Sequence, residues 1–184
     1  MFRYLCVIVL VALALGAVFP GEKLPRRAWG LGIACSLLPD LDVVGFLFGI
    51  PYTHVLGHRG FTHSLAFAAL LSGLLVTLIA RLGRWPCSHP ALLLYLFLCT
   101  ASHGVLDAMT NGGLGIAFFA PFDNTRYFLP WRPIEVSPIG IDAFLSERGL
   151  RVLWSEAVTL WLPLFALWVM AGGFRTVRRW RKLT

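Results

Sequence analysis

At 184 residues the chain has the length of one domain. It is 58% hydrophobic and only 14% charged, with a mean hydropathy of +0.74, which excludes an ordinary soluble domain and points into the membrane. The formal charge of +7 is therefore read as anchoring on anionic lipid, and no nucleic-acid partner is expected.

Tyr4 to Phe19 is the first apolar run, marginally long enough to cross hydrocarbon. Arg3 in front of it also fits a signal peptide, but Pro20-Gly21-Glu22-Lys23 looks like a turn into further membrane structure. Ala28 to Ile50 follows, with Pro39, Asp40 and Asp42 near its middle. A carboxylate at mid-bilayer costs about 3 kcal/mol, so this segment is expected to be a broken span or a re-entrant helix. Ser64 to Leu82 is a clean span with Thr62 or Ser64 as its N-cap. Ala91 to Met109 is apolar until His103 and Asp107. Residues 110–151 form the only long loop, rich in Gly, Pro and aromatics, and are expected to fold over the membrane face. Val152 to Ala171 is the last span, before a basic tail at 174–184. The fold class is thus an all-α polytopic membrane protein of four or five transmembrane helices, a single domain over 1–184. The cysteines (Cys6, Cys35, Cys87, Cys99) have no metal-ligand or redox spacing and count as small hydrophobes.

The tail carries Arg175, Arg178, Arg179, Arg181 and Lys182, so the positive-inside rule puts it in the cytoplasm. Counting back through the spans brings every polar outcrop to the outer, periplasmic side. The outcrops supply imidazoles and carboxylates. His103 and Asp107 share a helix face at i and i+4, His58 and His63 arrive from the neighbouring helix start, and Asp40 and Asp42 come from the broken segment. Such a set suits zinc, with manganese as the alternative, and a divalent metal makes water nucleophilic near neutral pH. In the expected chemistry Asp40 or Asp42 takes a proton from water. Arg59, Arg126 or Arg132 then binds the anionic substrate and steadies the developing charge, a task the guanidinium fork suits. His54 and His89 look like ordinary loop histidines.

The order Leu38-Pro39-Asp40-Leu41-Asp42, then Gly57-His58-Arg59-Gly60-Phe61-Thr62-His63-Ser64, then Ser102-His103-Gly104-Val105-Leu106-Asp107 resembles the YdjM/YbcI-like family of bacterial inner-membrane proteins, described as metal-dependent hydrolases. The stretch from Pro121-Phe122 to Pro130-Trp131 is similar to the YbcI branch. The resemblance implies that Asp40, Asp42, His58, His63, His103 and Asp107 bind metal, and that the reaction is hydrolysis of a phosphoester such as a lipid head group. Relatives often carry a histidine in the first apolar segment, whereas residues 1–53 here contain none. That departure implies a reduced site, or one ion where relatives hold two. Two other classes compete: a membrane protein whose metal or ion-pair cluster is structural, and an ion or solute transporter. A polar cluster confined to one side and the lack of an internal repeat count against transport.

Overall fold

The apolar runs fold as helices, and the computed structural model describes residues 5–19, 24–83, 85–136, 146–163 and 165–166. In chain order these are α1 (Leu5–Val18), α2 (Arg26–Leu37), a 3₁₀ segment (Leu38–Phe48), a 3₁₀ turn (Phe61–His63), α3 (Leu65–Leu82), α4 (His89–Ala108) and α5 (Glu147–Glu156). A π-helical turn, Ala157–Trp161, continues α5. Among the described residues the only β pairing is two isolated bridges. The protein is a helical membrane protein: Arg26–Phe48, Leu65–Leu82 and His89–Ala108 are each long and apolar enough to cross a bilayer. The 14 residues of α1 would rise about 21 Å, short of a hydrocarbon core of about 30 Å. The basic tail, the end of the last span from residue 167, the turn at 20–23 and loop residues 137–145 lie outside the described residues.

Helix α4 is the axis of the bundle, packed by α1, α2 and α3. Its most apolar stretch is 56% buried, against 22% for each of the other two spans. Leu92, Tyr95, Leu96, Cys99, His103 and Leu106 recur at helical spacing and form its inward face. Without a hydrophobic drive between helices in lipid, close packing and buried hydrogen bonds must hold them. The Tyr95 hydroxyl supplies one such bond, donating to the Ala12 carbonyl at 3.0 Å. Gly32 on α2 makes room for it, since a Cβ there would overlap the Tyr95 ring and hydroxyl.

The end of the bundle that carries the polar outcrops is closed by residues 110–136. Leu65 N–H donates to the Phe118 carbonyl at 3.0 Å, Leu129 N–H to Ala108 at 2.9 Å, and Ala117 N–H to Arg59 at 3.2 Å. Bridges between Ile116 and Tyr127 and between Thr110 and Ile134 tie the loop to itself and to the end of α4. Ile116, Ala117, Ala120 and Ile134 are buried beneath it. Residues 110–136 fold over this end as a cap, whereas 147–151, expected in the same loop, already belong to α5.

Candidate metal centre

Pro39 shapes the first part of the site. It has no N–H to give the carbonyl four residues back, so α-helical winding fails there and the chain tightens into 3₁₀ turns. The eleven-residue run is long for this geometry, and Gly49 ends it with φ 73°, its N–H on the carbonyls of Gly45 and Phe46. Two positions two residues apart point about 160° away from each other on an α-helix, but only about 120° in 3₁₀ winding. The change of winding lets Asp40 reach His63 and His103 of α4 while Asp42 reaches the His58–His63 turn.

Asp40, His63, His103 and Asp107 meet there, each offering one atom, all within 4.8 Å of one another. His103 Nε2 lies 3.3 Å from Asp40 Oδ1 and 3.9 Å from Asp107 Oδ2. His63 Nε2 lies 3.5 Å from Asp107 Oδ2 and 3.8 Å from Asp40 Oδ1. The opposite ring nitrogens fix how the imidazoles face. His103 Nδ1 is 2.7 Å from the Ser36 carbonyl, which can only accept, so the proton sits on Nδ1. His63 Nδ1 faces Asp42 Oδ2 at 3.1 Å, the carboxylate–histidine pairing that presents Nε2 to a metal. Both Nε2 atoms are buried without a hydrogen-bond partner. Ligands about 2.0–2.1 Å from one tetrahedral ion would stand about 3.3 Å apart, and the N···O separations here, 3.3–3.9 Å, begin at that spacing and run somewhat beyond it. Burial pushes the His63 imidazole down, but Asp107, Asp40 and Asp42 outweigh it and hold it well above its ordinary value. A positive charge between these oxygens, whether proton or metal, is thus stabilised.

Asp42 turns away from that foursome. Its Oδ1 takes His58 Nδ1 at 2.7 Å, and its Oδ2 takes the Thr62 hydroxyl at 2.6 Å and the Arg59 N–H at 3.1 Å, besides His63. Asp42, His58 and His63 form a second group of potential ligand atoms beside the first. Through these contacts Asp42 also orients the His58–His63 turn.

Arg59 holds a left-handed conformation, φ 62°, unusual for a side-chain-bearing residue. The turn directs its buried guanidinium inward, where Nε reaches Asp107 Oδ2 at 3.0 Å and Nη1 donates to Thr110 Oγ1 and the Gly112 carbonyl. Arg126 is spread over backbone carbonyls, donating to Tyr52 at 2.8 Å and His58 at 3.1 Å, with Arg59, His54 and Gly115 at 3.3–3.4 Å. It thereby clamps the 52–59 loop to the cap. Arg132 is exposed, its guanidinium 4.9 Å from the Phe128 ring. His54 accepts the Leu56 N–H, and His89 opens α4 at the far end of that helix from His103. Ser36, Gly104 and Thr110 also build the site and did not stand out in the sequence, and Thr62, expected only as a helix cap, donates to Asp42 instead. Ser36 acts through its carbonyl, which no residue type betrays; Thr62 lies inside the His-Arg-Gly-Phe-Thr-His-Ser block and could have been found there.

A family model described as YdjM inner membrane protein matches residues 6–179. The chain belongs to the YdjM family. It is 38% identical to Inner membrane protein YbcI of Escherichia coli (strain K12) over 156 residues, 83% of this chain and 87% of that protein. No solved structure matches it. These inner-membrane relatives, with the apolar helices, support an inner-membrane location for this YdjM-family chain.

Proposed function

We propose that this chain is a membrane-bound, metal-dependent hydrolase of phosphoesters. Asp40, His63, His103 and Asp107 would hold one divalent cation, zinc with manganese as the alternative, with Asp42 and His58 orienting them. The reading rests on the two buried imidazole Nε2 atoms, without hydrogen-bond partners, turned toward carboxylate oxygens. Three carboxylates, Asp40, Asp42 and Asp107, converge with one guanidinium, Arg59, so the cluster favours added positive charge. When bound, a divalent cation acidifies water and polarises a phosphoryl oxygen.

The chain's own residues supply the rest. Asp40 is the most exposed of the four and keeps a second oxygen that can take the proton of the attacking water. Arg59 fixes Asp107 and adds positive potential for an anionic substrate. In hydrolysis the water oxygen bonds phosphorus, the ester P–O bond breaks, and the departing alkoxide takes up a proton. The basic tail is read as cytoplasmic, which turns the centre toward the periplasm.

The deciding measurement is the metal content of detergent-purified protein, wild type beside His63→Ala and Asp107→Ala. About one zinc or manganese per chain, lost in both variants while membrane insertion persists, is the expected result. Equal content in all three would return the cluster to a structural network, a reading that the Arg59–Asp107 ion pair favours.

A further inference from the structure

Beside the candidate centre, the cap and the start of α3 enclose an apolar groove of about 410 Å³ that opens outward. Leu65, Ala66, Phe118, Phe119 and Phe122 line it, and no polar side chain among the described residues does. Its place along the bundle is fixed by the 3.0 Å hydrogen bond from the Leu65 N–H to the Phe118 carbonyl. Leu65 opens one of the three segments apolar enough to span the bilayer, so the groove stands where that span enters hydrocarbon. Leu70 and Leu74, four and eight residues after Ala66, continue the same helix face and are 65% and 58% exposed. The lining thus runs without a break into the side of α3 that lipid must cover. A tight turn holds the rings in place. The Ala120 N–H donates to the Ala117 carbonyl, and the Phe122 and Asp123 N–H groups donate to that of Phe119, at 3.0–3.1 Å. Phe119 and Phe122 are 52% and 90% exposed on this turn. Polarity changes at the next residue. Asp123, Asn124 and Thr125 are exposed, and the Tyr127 ring, edge-on to Phe119 at 5.7 Å, donates its hydroxyl to Asp123 at 3.1 Å. An apolar turn followed at once by a polar edge matches the boundary between hydrocarbon and head groups, where rings with a polar tip collect.

We propose that this groove is a structural lipid site: an acyl chain of a bilayer phospholipid fills it and pins the 117–122 turn to the membrane. Exposed apolar surface that is continuous with a membrane span has lipid as its ready partner. The effect reaches the candidate centre. The Ala117 N–H donates to the Arg59 carbonyl at 3.2 Å, and the Phe118 and Ile116 side chains lie next to Gly104, where α4 meets His63. A turn pinned from outside therefore braces the wall behind His63 and His103. The lipid here is a fixture of the fold and not a reactant, so the inference stands apart from the hydrolase reading.

The test uses the full chain in phosphatidylcholine nanodiscs with a trace of phosphatidylcholine that carries a photoreactive diazirine high on its acyl chain. Adducts are mapped by peptide mass spectrometry, and amide hydrogen exchange is followed in parallel. Residues 118–122 should be labelled along with Leu74, which faces lipid on α3. Ala66→Phe, which fills the groove, should cut the adducts at 118–122 about fivefold and leave those at Leu74 intact. Phe122→Asp should do the same, and because Phe122 is exposed it decides the matter if Ala66→Phe fails to fold. In Phe122→Asp the Ala117 and Ala120 amides should also exchange about fivefold faster, with the middle of α4 unchanged. Leu78→Phe, near the far end of α3, should alter neither reading. Label on Leu74 but none on 118–122 would leave the turn in water and overturn the site. Adducts at 118–122 indifferent to both groove substitutions would overturn it as well. So would a dimer in native mass spectrometry that Phe122→Asp dissociates, which would give the groove to a second copy. Lost labelling with Ala117 exchange unchanged would overturn the bracing.

Discussion

Gly104 sits on α4 beside His103 and one turn before Asp107, where the helix passes the backbone of His63. A Cβ at this position would stand 2.7 Å from the His63 carbonyl oxygen, with Phe118 and Ile116 side chains next nearest at 3.5 and 3.6 Å. An ordinary contact begins near 3.4 Å, so Gly104→Ala must move α4 and the His63 turn apart by roughly 0.7 Å. Metal sites tolerate about 0.2 Å in ligand distance, so the same movement should cost about 10–100-fold in affinity. Stability should fall by no more than about 2 kcal/mol, because overpacking of about 1–3 kcal/mol is offset by about 1 kcal/mol of helix propensity gained over glycine. Competitive titration against a zinc chelator gives the affinity, and thermal unfolding in detergent gives the stability. Gly73→Ala is the control, since nothing lies within 4 Å of its Cβ position, and it should bind as wild type does. Gly104→Ala binding metal within twofold of wild type would refute the idea that this close approach sets the site.

Thr62→Val removes the 2.6 Å hydrogen bond to Asp42 and should weaken metal binding about tenfold with insertion unchanged, as read by the same titration. Arg126→Ala frees the carbonyls of the 52–59 loop, whose charged hydrogen bonds are worth about 1.5–3 kcal/mol each. Hydrogen exchange over residues 52–60 should therefore accelerate while the middle of α4 stays protected. Chelation should lower the melting temperature of the wild type, since a ligand at about 100 times its Kd adds about 2.7 kcal/mol. His63→Ala should melt at the same temperature with and without chelator.

The sequence makes the spans legible because apolar runs in lipid have one outcome: a helix satisfies its own backbone. Ser64 was legible as a cap for a similar reason, and its hydroxyl accepts the Phe67 N–H at 3.0 Å. Pro39 announced a break but not its form; that the chain continues in 3₁₀ turns through Phe48 depends on packing against the His58–His63 turn, which residue types do not encode. Which of the six Asp and His positions come together in each of the two groups was illegible for a related reason. Asp42 differs from Asp40 only in the neighbours that winding gives it: a histidine, a hydroxyl and an N–H that consume its oxygens. The arginine contacts were not legible either. Arg59 was expected to meet an anionic substrate; its left-handed backbone also brings it onto Asp107, a contact that no residue type announced. Arg126 arrives from the cap loop and donates to backbone carbonyls of the 52–59 loop.

The centre is assembled largely from irregular backbone, a proline-broken helix, a left-handed arginine and a one-turn 3₁₀ helix, set against the last turns of α4. Each leaves backbone groups without regular helical partners, and such groups are costly at membrane depth. Here they are taken up by the site itself. The Arg59 N–H goes to Asp42 and the Ser36 carbonyl to His103, while the loop carbonyls go to Arg126. Polar side chains and irregular backbone therefore depend on each other. Removing one side chain exposes the backbone it satisfied, and straightening the backbone scatters the ligands. That dependence predicts strong coupling between substitutions in the His58–Ser64 block and at Asp42. The loss in His58→Ala with Asp42→Ala together should be well below the sum of the single losses, because either one already releases the turn. Additive losses in metal affinity would mean that the two residues act separately.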